Sequence, residues 1–155
     1  MEKLTAGGFK LIGLQLDRKT YNANGQSGRD CGFLWQKFES ENFYSRIPGK
    51  LSNEIFAVYF DYEGDHTQPY SYFIGCQVDR SSKVPDGMSD IYIPEGNYSR
   101  LIAKGKMPDC VAGKWKEIWQ SATDRQYSYD FEVYGEESKD WNNATVDILI
   151  SSIPK

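Results

Sequence analysis

The order strand, helix, strand, strand can be read twice along this chain, and neither copy is long enough to bury a helix and a sheet face by itself. In the first copy, Phe9-Lys10-Leu11-Ile12-Gly13-Leu14-Gln15-Leu16 reads as a strand, ended by the polar run from Asn22 to Arg29. A helix is predicted from Asp30 to Tyr44, where Leu34, Trp35, Phe38 and Phe43 share a face, and Ile47-Pro48-Gly49 stops it. Strands follow over Glu54 to Tyr62 and Tyr70 to Val78, the first of them rich in β-branched and aromatic residues. In the second copy, Asp90 to Gly96 brings the chain in, and Tyr98 to Ala103 reads as a strand broken at Gly105. Pro108-Asp109 then opens a helix in which Val111, Trp115, Ile118, Trp119 and Ala122 recur at helical spacing, with Lys114, Lys116 and Glu117 toward water. Strands close the copy over Gln126 to Tyr134 and Thr145 to Ile153, separated by the polar turn Gly135 to Asn143.

Phe56-Ala57-Val58-Tyr59 in one copy parallels Phe131-Glu132-Val133-Tyr134 in the other, which points to an internal duplication. The expectation is an α+β protein with one domain spanning 1–155. Its pseudo-repeats, about 1–80 and 90–155, join through Ser81 to Asp90 as duplicated βαββ units in one antiparallel sheet. Two main helices pack on that sheet, and the seam between the halves becomes a central groove.

Composition narrows the function classes. Of the 155 residues 39% are hydrophobic and 26% charged, which fits a soluble globular chain and not a disordered or membrane-spanning one. The formal charge is −4 with no Lys/Arg block, so neither direct DNA binding nor a polybasic membrane surface is expected. Cys31, Cys76 and Cys110 are too scattered for a disulfide framework or a thiolate zinc site and read as small buried residues. His66 is the single histidine and reads as a solvated loop residue, so neither a metal site nor a cofactor is expected. The N-terminus lacks a signal-peptide pattern, making the cytoplasm the default compartment and the sequons at Asn97 and Asn143 chance matches. Aromatic residues reach 15%, with 11 Tyr against 8 Phe, and a phenol is used where a ring needs one polar end: a lined cavity or an interface as much as a dry core.

The stretch Tyr127 to Tyr134 carries the chemistry. Strand parity turns Tyr127, Tyr129, Phe131 and Val133 one way and Asp130, Glu132 and Tyr134 the other. Taken alone, a mid-strand Glu is most often the wet side of an antiparallel sheet.

A wider set of residues changes those odds. Ile93-Pro94-Glu95-Gly96-Asn97-Tyr98, Gly105, the helix ending Trp119-Gln120, Asp130-Phe131-Glu132-Val133-Tyr134 and Val146-Asp147-Ile148-Leu149-Ile150 resemble the effector-binding domain of AraC-type and multidrug-responsive regulators, the gyrase-inhibitor-like superfamily. Ile12-Gly13-Leu14 and Tyr72-Phe73-Ile74-Gly75 agree with that pattern, and the whole is also similar to stand-alone integron-cassette versions of the domain. No helix-turn-helix segment accompanies it.

The resemblance implies an aromatic groove in which a strand Glu recognises lipophilic cations. Glu132 matches that acid, and Ala57, its counterpart in the first half, would leave room for the ligand. Tyr59 and Tyr134 share the parity of Ala57 and Glu132 and are expected on the groove side. Tyr72, Trp35, Trp115 and Trp119 are further wall candidates, although a Trp pair at i, i+4 is usually core. Tyr98 reads as structural.

The reading is a non-catalytic module for cationic amphipathic small molecules, sequestering them or passing its state to a separate regulatory protein. Two alternatives stand beside it. One is a hydrolase of reactive electrophiles using Glu132 with Tyr134 or Tyr59; the other is a module that binds and inhibits a larger protein.

Overall fold

The computed structural model describes residues 2–121 and 124–153, which leaves Ala122, assigned above to the second helix face, outside the described residues. Eight strands among these form one antiparallel sheet: β1 (Glu2–Ala6), β2 (Phe9–Gln15), β3 (Ile55–Phe60), β4 (Ser71–Val78), β5 (Ser89–Ile93), β6 (Gly96–Gly105), β7 (Asp130–Tyr134) and β8 (Ala144–Ser151). The long helices are α1 (Gln26–Ser40) and α3 (Asp109–Ser121), with the single turn α2 (Phe43–Arg46) after the first.

Strand order is β1-β6-β8-β7-β3-β4-β2-β5. Read outward from the β7/β3 boundary, the two sides match: β8, β6, β1 on one hand and β4, β2, β5 on the other. The duplicated order expected from the sequence is thus present, with the seam between β7 and β3. There the parallel read in the sequence becomes a physical pairing, because Ala57 lies directly opposite Glu132, flanked by Phe56 opposite Val133 and Val58 opposite Phe131.

Two edge strands were not anticipated. β1 and β5 are short and partly polar, so they lack the alternation that marks a half-buried strand, and they form by pairing with β6 and β2. The first helix starts earlier than its apolar face suggests and stops at Ser40, because Asn42 takes a left-handed conformation that no helix continues through. β7 is shorter than the run Gln126 to Tyr134: Tyr127 has φ 56°, so the strand opens only at Asp130.

The sheet is apolar on both faces. One face packs against the helices, with Leu34 and Phe38 of α1 over Ile12, Ile74 and Ala57, and Val111, Trp115 and Ile118 of α3 over Val146, Ile148 and Ile150. The other face curls on itself around Phe56, Phe73, Tyr98 and Phe131, which gives Tyr98 its structural place. Gly13 of β2 pairs with Gly75 of β4, and a Cβ on either would strike the other strand's backbone, at the carbonyls of Ile74 and Ile12 respectively. These glycines permit the close approach that curls the sheet. A sheet covered on both sides has no wet face at its centre, and that is what removes the surface reading for Glu132.

Candidate functional site

Over the seam, between α1 and α3, lies a cavity of about 290 Å³. Its floor is Glu132, only 2% exposed despite its charge. Three neutral donors reach the carboxylate: Tyr59 Oη at 2.8 Å and Trp115 Nε1 at 2.6 Å on Oε2, and Tyr134 Oη at 2.6 Å on Oε1. Among the described residues no Lys, Arg or His forms an ion pair with it.

Antiparallel pairing explains how the two tyrosines converge. Tyr59 and Tyr134 each stand two positions beyond the central pair Ala57/Glu132, on strands of opposite direction, so they flank the carboxylate from its two sides. Tyr72, across from Tyr59 on β4, adds the next ring and accepts a hydrogen bond from Trp35 Nε1 at 2.8 Å. Ring centroids lie 5.0 Å apart for Tyr59 with Tyr72, 5.0 Å for Tyr59 with Trp115 and 5.1 Å for Trp35 with Tyr134. The seven residues singled out in the sequence, Glu132, Tyr59, Tyr134, Tyr72, Trp119, Trp115 and Trp35, therefore all border this one cavity. Trp115 has a place in the core as well as at the cavity, since it packs with Ile118 and Val111 while donating to Glu132.

Ala57 does not border the cavity. It is fully buried in the α1-side core beside Ile74 and Tyr72, so its small side chain fits that packing instead of opening space for a guest.

Burial raises the pKa of Glu132, and the hydrogen bonds from Tyr134, Trp115 and Tyr59 pull it part of the way back. Tyr59, Tyr134 and Tyr72 are pushed well above the ordinary phenol range by burial first and by the Glu132 charge as well, so they remain donors. Cys31, on the cavity wall, is likewise driven up by burial and by Glu132, which keeps it a thiol.

Two neighbours were not legible as site residues. His66 is half-buried instead of solvated: the Glu63 to Pro69 loop lays its ring on Trp119, with centroids 5.3 Å apart and planes at 6°. Arg125 comes in after α3 and pairs through Nη2 with Asp130 Oδ2 at 2.7 Å, both side chains being almost fully buried. Asp130 also accepts from Tyr62 Oη at 2.6 Å and from the Ser151 amide at 2.7 Å. Strand parity puts Asp130 beside Glu132, as read above; nothing in the periodicity marks a loop arginine as its partner.

The described residues contain no helix long and apolar enough to cross a membrane and no cluster of His, Cys, Asp and Glu fit for a metal. All three cysteines are free.

The fold has relatives. The integron cassette protein VCH_CASS2 of the Vibrio cholerae mobile metagenome is 26% identical and superposes with a TM-score of 0.74, over 98% of this chain and 95% of that one. SAV2435, solved bound to tetraphenylphosphonium, shares the fold at 19% identity with a TM-score of 0.76, covering 99% of this chain and 94% of its own. The Bacillus subtilis (strain 168) protein YobU is 23% identical over 122 residues, 76% of each chain. The pattern of the integron-associated effector binding proteins matches residues 5–151, from within β1 to the end of β8, and by that match this chain belongs to their family.

Proposed function

We propose that the cavity binds lipophilic monocations, with Glu132 as the counter-charge and Tyr59, Tyr134, Tyr72, Trp35, Trp115 and Trp119 as its wall. The observation that carries this reading is a carboxylate 2% exposed, held by three neutral donors and without a cation among the described residues. Buried charges are stable when paired, and this one is only hydrogen-bonded. A monocation entering the cavity supplies the missing partner. At 4 Å and an effective dielectric near 20 the attraction is about 4 kcal/mol before desolvation, and each ring facing the guest adds roughly 0.5–2 kcal/mol. Micromolar affinity, about −8 kcal/mol, is within reach of those contributions without any shape-specific hydrogen bond. The tetraphenylphosphonium carried by SAV2435 is a ligand of this class in a protein of the same fold, and supports the reading. Sequestration of the guest, or a signal passed to a separate regulatory protein, would follow from occupancy.

Titration with tetraphenylphosphonium, read by the fluorescence of the three wall tryptophans, tests the assignment. Glu132→Gln should weaken binding about 10- to 100-fold, which is roughly 1.4–2.8 kcal/mol. Equal affinity in the two proteins would remove Glu132 from the site. Ligand recovered unchanged is expected; chemical turnover that Glu132→Gln abolishes would move the protein to the hydrolytic alternative.

A further inference from the structure

Arg125 has a second set of donors that no described residue uses. Its side chain is 2% exposed and borders the cavity. Nη2 bonds Asp130, whereas Nε and Nη1 are buried with no hydrogen-bond acceptor among the described residues. The guanidinium stacks at 4.2 Å over Tyr127 and stands 5.8 Å from the Trp115 ring, contacts that favour its charge and leave the in-plane N–H groups of Nε and Nη1 unmatched. A buried donor without an acceptor is costly, so such a group in a cavity wall marks a place for an oxygen brought from outside.

We infer that the cavity is built for a cation that also carries a neutral carbonyl oxygen, the cationic centre at Glu132 and the carbonyl accepting from Arg125. The carbonyl subsite rests on the cation reading for the ligand's charge. Geometry supports the pairing of ends: Asp130, which holds Arg125, is two positions from Glu132 on one face of β7, about 7 Å along the strand. Trp115 touches both ends, donating to Glu132 at 2.6 Å and facing Arg125 with its ring, so one benzene ring laid along it would span the gap. Charge decides the kind of acceptor. Glu132 and Asp130 with Arg125 sum to one negative charge, which a monocation cancels; a ligand carboxylate would restore the surplus, and a ketone, amide or ester oxygen would not.

The test uses (4-acetylbenzyl)trimethylammonium and its isostere (4-isopropylbenzyl)trimethylammonium on the full chain. The isopropyl compound is the more apolar, so burial alone ranks it first. The expected result is the opposite order, with the acetyl compound at least 5-fold tighter, and this ratio falling to one or inverting in Arg125→Lys, which keeps the charge facing Asp130 but places no N–H where Nε and Nη1 stand. Tighter or equal binding of the isopropyl compound by the unmodified protein overturns the subsite without any variant having to fold. So does an acetyl preference that survives Arg125→Lys. Glu132→Gln separates the two claims: it should weaken both compounds alike. An acetyl preference without dependence on Glu132 would uphold the carbonyl contact and overturn the cation reading.

Discussion

Asp130 and Glu132 are two positions apart on one strand, point to the same side and are both buried, yet among the described residues only one of them is furnished with a cation. Asp130 has Arg125, Tyr62 and the Ser151 amide. Glu132 has two phenols and an indole. The first arrangement neutralises a charge inside the protein; the second spreads hydrogen bonds over a charge and leaves its neutralisation open. A fully paired acid is part of the structure, and an acid given only neutral donors is the one to which the proposed cation binding assigns a guest.

The difference can be broken most severely at the paired acid. Asp130→Ala leaves the Arg125 guanidinium buried and unpaired and strands Tyr62 Oη and the Ser151 amide, and should cost about 3–5 kcal/mol in a denaturant titration. A loss below about 1 kcal/mol would mean that the pair is not the structural member of the two.

Glu132→Gln should do the reverse. The folded-state pKa of Glu132 is raised by burial, so protonation is favoured by folding, and its contribution to stability is complete below the unfolded-state pKa and lost as pH rises through the folded one. Unliganded Glu132→Gln should therefore melt no lower than the parent at pH 8, with the gap closing toward acid. For the same reason the affinity of the parent for cations should fall as pH drops through the raised pKa, because a protonated acid offers no counter-charge. A parent that melts well above Glu132→Gln at pH 8 would show that the ionised acid is already satisfied without a guest.

The smallest effect is expected from Tyr134→Phe. Oε1 then has no donor among the described residues, Glu132 titrates at still higher pH, and cation affinity at neutral pH should drop by about 1 kcal/mol, roughly 5-fold. An unchanged pH profile would show that this hydrogen bond does not hold the charged form.

The contrast also shows what could be read in advance. Parity along Asp130 to Tyr134 puts Glu132 and Tyr134 on a common face, and the likeness of Phe56–Tyr59 to Phe131–Tyr134 anticipates that Tyr59 would meet them; the β3/β7 register realises both. Burial of the acid was not legible from periodicity, because alternation is the same for a strand with a wet face and for one covered by helices. The duplication predicted a groove at the seam, but only the family resemblance put Glu132 in it. Arg125 and His66 enter from irregular segments, where no period assigns a face. Tyr127 went astray for a related reason: its positive φ ends the alternation that put it with Phe131, and its ring instead carries Arg125 and meets Tyr62. The edge strands β1 and β5 escaped because their order is imposed by neighbours and not by their own pattern.

The central claim is that this hollow selects charge sign, and two ions of almost one shape isolate that variable: tetraphenylphosphonium and tetraphenylborate. Calorimetric titration of the unmodified protein at pH 8 should give micromolar binding of the phosphonium and at least 100-fold weaker binding of the borate. Comparable affinities for the two ions would contradict the account, since a greasy cavity indifferent to Glu132 would hold either.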